Sequence, residues 1–217
     1  MPQPVEMIRH TMQTYPESLQ EQEQRVAQII AGDAAPCIIL TEHPPLYTVG
    51  TSGNEADILS REIDGESIGV FASGRGGEVT YHGPGQLVIY VLADLRADPD
   101  LHRHVWRLEE MAIRTLDDFG LSGARSSRGI GVWVDNNKIA AVGVRCRKWV
   151  TFHGIALNIN PNLRHFSGIV PCGMRDAPVT SMHAEGIKAS RTEVEKRLLP
   201  HAQALFSGIP INPSPSA

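Results

Sequence analysis

The chain is poor in residues that staple or ligate. Only three cysteines, Cys37, Cys146 and Cys172, occur in 217 residues. They form no Cys-x-x-Cys pair and no cysteine-histidine spacing suited to zinc, so neither a disulfide framework nor a metal knot is expected and the three read as reduced thiols. Long apolar runs are missing as well. Glu6, Arg9, Glu17, Glu21 and Glu23 break the N-terminal segment and exclude a signal peptide, and no later stretch is long enough to span a bilayer. Nor is there an excess of positive charge. Twenty Lys and Arg against 24 Asp and Glu leave a formal net charge of -4. The molecule therefore has no overall attraction for nucleic acid or an anionic membrane, and an acidic partner has to meet a local basic patch.

What is present suffices for one domain with a sizeable core, since 41% of the positions are hydrophobic and 20% charged. Thr14 and Glu17 form a Thr-x-x-Glu capping box, and Leu19, Val26, Ile29 and Ile30 recur near helical spacing until Gly32, which predicts an amphipathic helix. Cys37 to Thr41 reads as a buried strand in which Cys37 packs rather than reacts, followed by Pro44-Pro45 and the turn-rich stretch Gly50 to Asn54. Ile68 to Phe71 and Leu87 to Leu92 predict further strands. Leu101, Val105, Leu108, Ala112, Leu116 and Phe119 mark a second helix, capped by Asp98 or Asp100 and stopped by Gly120. Its His102 and His104 point to different sides and are expected at the solvated surface. Gly131 to Val134, Asp135-Asn136-Asn137 and Lys138 to Arg147 read as a hairpin, with Val150 to Ile159 as the next strand. Ser190 and Glu193 open a last helix that Pro200 is expected to bend or divide, and residues 210–217 are expected to form a disordered tail. Strands mixed with separate helices, without a repeat, argue for an α+β fold.

Two segments resist a packing explanation. Between Arg75 and Gln86, in the connection between two predicted strands, stand four glycines, a proline, a histidine and an arginine. Glycine inside an ordered element costs about 0.5 to 1 kcal/mol relative to alanine, so that bare backbone implies a close approach by something else. The segment lacks the Gly-Lys-Ser or Gly-Lys-Thr ending of a P-loop and the dinucleotide spacing at a helix start, which disfavours a nucleotide cradle. Arg75 suits a carbonyl or a phosphate, Gly76 and Gly77 admit a chain-like substrate, and Tyr81 and His82 would wall the pocket. His82 is either a structural hydrogen bonder or a catalytic group. The stretch Thr151 to Ala156 reads as a strand with a gap at Gly154 where a ligand can lie.

Two side chains could carry chemistry. Strict alternation along a strand groups Lys138 with Ala140, Val142, Val144 and Cys146, and places Ile139, Ala141, Gly143 and Arg145 on the other face. Burial there would disfavour the ammonium and make Lys138 a base near neutral pH. The alternative is a hairpin lysine that reaches water along its stem. Cys172 lies between Pro171 and Gly173, which oppose regular structure. A thiol with a pKa of about 8.5 needs a cation or a base to react at pH 7, and Lys138, His82 and His153 are the candidates. The alternative is a small buried hydrophobe. Cys146, between Arg145 and Arg147, is fixed in a regular strand and makes a poorer nucleophile.

Five ordered blocks resemble the lipoyl(octanoyl) transferase family, relatives of the lipoate and biotin protein ligases. They are His43-Pro44-Pro45 with Tyr47-Thr48-Val49-Gly50, the run from Arg75 to Gln86, Lys138-Ile139-Ala140-Ala141-Val142-Gly143, Phe152 to Asn158, and Pro171-Cys172-Gly173 followed by Val179-Thr180-Ser181-Met182. The resemblance implies a mixed, largely antiparallel sheet packed with helices, as in biotin and lipoate protein ligases, with residues 1–209 as one catalytic acyltransferase domain. It implies Cys172 as the acyl carrier and Lys138 as its base. Arg75, Gly76, Gly77, Glu78, Val79, Thr80, Tyr81 and His82 would line the acyl pocket, together with Ala141, Val142, Gly143, Gly154, Ile155 and Ala156. The implied reaction moves an octanoyl or lipoyl group from acyl carrier protein to a lysine on a lipoyl domain of a 2-oxoacid dehydrogenase or the glycine cleavage H protein. That is the first step of endogenous lipoate biosynthesis, in the cytoplasm, without cofactor, metal, nucleic acid or membrane. Contact with acidic carriers is expected through Arg145, Arg147 and Lys148 or through Arg125 and Arg128. Two rivals remain at this point: an ATP-dependent lipoate ligase, and a non-catalytic protein that binds lipoyl domains or fatty chains.

Overall fold

A segment that is apolar at nearly every position, such as Leu87 to Leu92, is stable only where both of its faces are covered. The computed structural model describes residues 5–170 and 178–207, and it sets this segment in the middle of a six-stranded sheet. The strands are β1 (Glu6–Arg9), β2 (Cys37–Thr41), β3 (Leu46–Val49), β4 (Glu62–Ile63), β5 (Glu66–Ser67), β6 (Gly69–Ala72), β7 (Val79–His82), β8 (Gln86–Leu92), β9 (Val132–Val134), β10 (Asn137–Arg147) and β11 (Val150–Asn158), and the helices α1 (Tyr15–Ala31), α2 (Leu101–Asp117) and α3 (Arg191–Phe206). The large sheet runs in the order β1-β2-β8-β11-β10-β9, a small sheet β6-β3-β7, and β4 pairs with β5. Only β1 with β2 and β3 with β6 are parallel among these pairs.

Alternation along β8 explains the layering. Leu87, Ile89 and Val91 join one core with Leu108, Met111 and Leu116 of α2 and Val194, Leu198 and Leu205 of α3. Val88, Tyr90 and Leu92 join a second with Val26 and Ile29 of α1. Each fully buried aliphatic side chain of this kind contributes about 1.5 to 3 kcal/mol, so the two-sided core dominates stability.

Helix ends follow the sequence signals. The backbone N–H and hydroxyl of Thr14 donate to the Glu17 carboxylate at 3.1 and 2.7 Å, Asp100 accepts from the Arg103 N–H at 2.9 Å, and Gly32 leaves α1 at φ 87°. Helix α3 differs from expectation by running on through Pro200. Its buried residues stand on both sides of the proline, Val194 and Leu198 before it and Ala202 and Leu205 after, so packing on α2 holds the two halves in line. His104 is also a correction: it is buried, whereas His102 is exposed. It falls on the stripe of Leu108, Met111, Ala112 and Thr115, the face of α2 that packs inward. The predicted tail at 210–217 lies outside the described residues. None of the described helices is long and apolar enough to cross a membrane.

Candidate active site

The two sheets and the start of α2 enclose a cavity of about 810 Å³, within the usual range for a small-molecule site. Arg75, Gly76, Gly77, Glu78, Val79, Thr80 and His82 line it from the glycine-rich side. Lys138, Ala141, Val142, Gly143, Gly154, Ile155 and Ala156 line it from β10 and β11. One third of the glycine-rich segment, Val79 to His82, is itself a strand, β7, and not a connection. Tyr81 is the exception among the expected wall residues. Its ring points to the far side of β7, against Tyr47 and Phe166, and its hydroxyl meets His165 Nδ1 at 2.8 Å.

The glycines serve backbone approach. A Cβ on Gly143 would stand 2.7 Å from Arg75 Cδ and 3.1 Å from the Gly76 carbonyl oxygen, and one on Gly154 would stand 2.2 Å from the Ile89 carbonyl oxygen. The gap expected at Gly154 is thus needed by the neighbouring strand β8, even though the residue also faces the cavity.

Arg75 is buried and acts as a brace. It donates from Nε and Nη2 to Thr48 Oγ1 (3.2 and 2.8 Å), from Nη2 to the carbonyls of Thr48 and Glu78 (both 2.8 Å), and from Nη1 to the Gly76 carbonyl (3.0 Å). With its lone pairs taken, the Thr48 hydroxyl proton is directed to His82 Nε2 at 3.3 Å, which leaves the His82 proton on Nδ1 for Gln86 Oε1 at 2.7 Å. Gln86 Nε2 then donates to Asn158 Oδ1 at 2.9 Å, and Asn158 Nδ2 to the Thr180 carbonyl at 2.9 Å. The Thr180 N–H donates to the Lys138 carbonyl at 3.0 Å. One buried polar chain therefore links the glycine-rich loop to the strand that carries the lysine.

Lys138 is 8% exposed. A register shift between Lys138 and Ala140 breaks the strict alternation. Ile139 and Ala140 turn into the core, and Ala141 joins Lys138 on the cavity wall, the opposite of the alternate rows read from the sequence. Lys138 Nζ lies 4.9 Å from the Trp133 ring centre. Beside it, Glu109 of α2 accepts from the Gly131 N–H at 2.9 Å and from Arg125 Nε at 3.0 Å, which anchors the loop before β9.

The histidines are poor proton acceptors. Burial, reinforced by His43 and Arg75, pushes His82 down to about 3, and burial with Arg75 and Arg145 pushes His153 down to about 3. Imidazoles this weakly basic are neutral hydrogen-bonding groups near pH 7, which favours Lys138 among the three candidate bases. Burial raises the Cys37 thiol to about 11, in keeping with packing, and also raises Cys146. Cys172 lies outside the described residues. The chain rejoins them at Pro178, whose carbonyl accepts from the Lys138 N–H at 2.9 Å. Among the described residues no group of His, Cys, Asp and Glu is arranged to hold a metal ion.

The model of the lipoyl protein ligase A/B catalytic domain matches residues 14–203. The chain belongs to this family. A curated relative, the octanoyltransferase of Rhodospirillum rubrum, is 47% identical over 203 residues, covering 91% of this chain and 92% of its own length. Among solved structures, lipoate-protein ligase A bound with ATP superposes at a TM-score of 0.70 with 16% identity, over 94% of this chain and 85% of that one. A biotin protein ligase from Aquifex aeolicus in complex with biotin and ATP reaches 0.57 with 14% identity, over 92% and 69%. At such identities these two establish the α+β fold shared by lipoate and biotin ligases.

Sequence reasoning missed several cavity residues. Thr48, Gln86 and Asn158 stand inside the blocks that carry the resemblance, but their bonding depends on partners far along the chain. Tyr15, Tyr90, Trp106 and Glu109 sit in helices and strands whose periodicity assigns them to packing, and no local signal marks them.

Proposed function

We propose that this octanoyltransferase of protein lipoylation takes its acyl group as a thioester from acyl carrier protein, carries it on Cys172, and delivers it to a lysine of a lipoyl domain in a 2-oxoacid dehydrogenase or the glycine cleavage H protein. The observation that carries the reading is the buried Lys138 amine on the wall of a largely apolar cavity, on the strand to which the chain returns after the Cys172 segment. Lys138 Nζ accepts the Cys172 proton as the sulfur attacks the donor carbonyl, and the resulting ammonium returns that proton to the departing carrier thiolate. In the second step the acceptor lysine attacks the acyl-cysteine as a neutral amine and loses a proton to Lys138. The ammonium then reprotonates the released Cys172 thiolate. Exchange between thioesters is nearly balanced and amide formation is downhill, so no nucleotide is required.

Docking of acidic carriers is assigned to Arg145, Arg147 and Lys148, which are exposed beside Trp149 at the turn between β10 and β11. Arg125 is less suited, because it is engaged with Glu109 and Glu110. The reading places the protein in the cytoplasm and makes residues 1–209 one catalytic domain.

Intact mass spectrometry after mixing with octanoyl carrier protein, without ATP, tests the proposal. One hydroxylamine-labile octanoyl adduct is expected on the native protein, discharged by a lipoyl domain, with no acyl-thioester on Cys172→Ser. No adduct on the native protein, or transfer only from free octanoate with ATP, overturns it.

A further inference from the structure

In the proposed transfer Lys138 takes a proton and returns it in each of two steps, so a positive charge has to form on a buried side chain. Burial disfavours such a charge. A carboxylate in direct contact can offset that cost so strongly that the proton is not given back, whereas the face of an aromatic ring attracts a cation more gently.

Trp133 has the geometry for the second arrangement. It stands directly opposite Lys138 in the pairing of β9 with β10, so the two side chains rise on the same face of the hairpin. Its ring centre is 4.9 Å from Lys138 Nζ, inside the range of about 6 Å for a cation–π contact. The ring is 1% exposed, and it is fixed. Its Nε1 donates to the Gly129 carbonyl at 3.0 Å, and its backbone N–H and carbonyl each bond to Ala124 at 2.8 Å. The lysine stem is confined from another side by Gly131, where a Cβ would stand 3.4 Å from Lys138 Cε and 2.5 Å from the Ala140 carbonyl oxygen. Glu109 holds that glycine through its N–H at 2.9 Å and meets Arg125 Nε with its other oxygen at 3.0 Å. Among the described residues Lys138 lines the cavity and Trp133 does not. The ring is therefore placed to act on the amine without touching the acyl chain.

We infer that Trp133 is a positioning residue for acyl transfer: its buried face holds Lys138 Nζ in place and stabilises the ammonium that forms there. In the first step the Cys172 sulfur bonds to the donor carbonyl carbon, its proton passes to Nζ, and the carrier thiolate leaves and takes that proton. In the second the acceptor nitrogen bonds to the same carbon, a proton passes from it to Nζ, and the Cys172 thiolate leaves and takes it. Both steps pass through the cation that the ring faces.

The inference rests on the acyl-transfer reading, and its test keeps the two apart. Trp133 is replaced at its own codon by mono-, di- and tetrafluorinated tryptophan, which keep the ring and its Nε1–H while progressively removing the negative charge from its face. Acylation of Cys172 by octanoyl carrier protein is followed by rapid quench and intact mass spectrometry. The rate at saturating carrier should fall stepwise, to about one tenth of native or less with the tetrafluorinated ring. The half-saturating carrier concentration and the melting midpoint should stay at their native values. Trp133→Phe, which keeps a ring, should retain more of the rate than Trp133→Leu. A rate that stays level along the fluorinated series overturns the inference, as does a loss confined to the half-saturating concentration. The fluorinated series decides even if Trp133→Leu does not fold. Either of those outcomes leaves the adduct on the native protein, and with it the transfer reading, intact; absence of that adduct from the native protein removes the reading and the inference together.

Discussion

The glycine-rich wall of the cavity and the rim beside α2 are held by different forces. The wall depends on directional hydrogen bonds from buried Arg75 through Thr48, His82, Gln86 and Asn158. The rim depends on charge, with Arg125 shared between Glu109 and Glu110 and about one third exposed. A chain that runs from one buried cation through neutral partners fixes a shape with little dependence on salt, since its bonds are shielded from solvent ions and each has a defined direction. Ion pairs open to solvent are worth less and are screened. The contrast is between a wall of fixed shape and a rim whose strength varies with salt.

Acid should produce the largest effect and strike the buried side first. His82 and His153 at the cavity, and His104 on the inward face of α2, are each lowered from 6.5 to about 3, in every case chiefly by burial. The unfolded chain then binds more protons between those values. Their contribution to stability is complete above pH 6.5 and is lost as pH falls toward 3. Circular dichroism melts should show the midpoint dropping steeply below pH 6, and a less steep drop in His104→Leu. A midpoint flat from pH 7 to 4 would contradict the burial of these neutral rings.

Arg75→Ala comes next, because it removes a donor from the carbonyls of Thr48, Gly76 and Glu78 and from the Thr48 hydroxyl. Denaturant unfolding should show a loss of about 3 kcal/mol or more, and octanoyl transfer should fall by about 100-fold or more in the folded fraction. Thr48→Val keeps the shape but leaves Arg75 and His82 without the shared hydroxyl, for an expected loss of about 2 kcal/mol. If either variant matches the native protein in both assays, the wall is not braced as described.

At the rim, Glu109→Gln retains an acceptor for the Gly131 N–H and removes the ion pair with Arg125. The expected cost is about 1 kcal/mol or less, with a weaker dependence of stability on salt than in the native protein. A loss as large as that of Thr48→Val would erase the distinction between the two regions. Smallest of all is Glu17→Gln, distant from both: it weakens the capping box of α1 and should lower the melting midpoint slightly, with transfer unchanged.

Much of the fold was legible because its signals are local. The box at Thr14 and Glu17, the stop at Gly32, the apolar run of β8 and the hairpin around Asp135 follow from spacing within a few residues. The reading failed where a distant partner decides. His104 looks like half of a surface pair until α3 covers that face of α2, and Pro200 looks like a break until packing on both sides holds the helix together. The site shows the same division. Bare glycine backbone beside Arg75 indicated a cavity wall, and Arg75 does line it, but the pattern gave no sign that Arg75 also braces its own loop. Strict alternation separated Lys138 from Ala141, and only a bulge against β9 reunites them.

The amino-acid order alone determined the three helices with their caps, the strands β2, β6, β8, β9, β10 and β11, and the glycine-rich segment that walls the cavity, because periodicity, capping and glycine placement act over short stretches of chain. Tertiary structure decided which polar atoms are neutral, which are paired, and which face the cavity. Those properties depend on desolvation and on the direction of individual hydrogen bonds between residues as far apart as Gln86 and Asn158, and no local pattern encodes either.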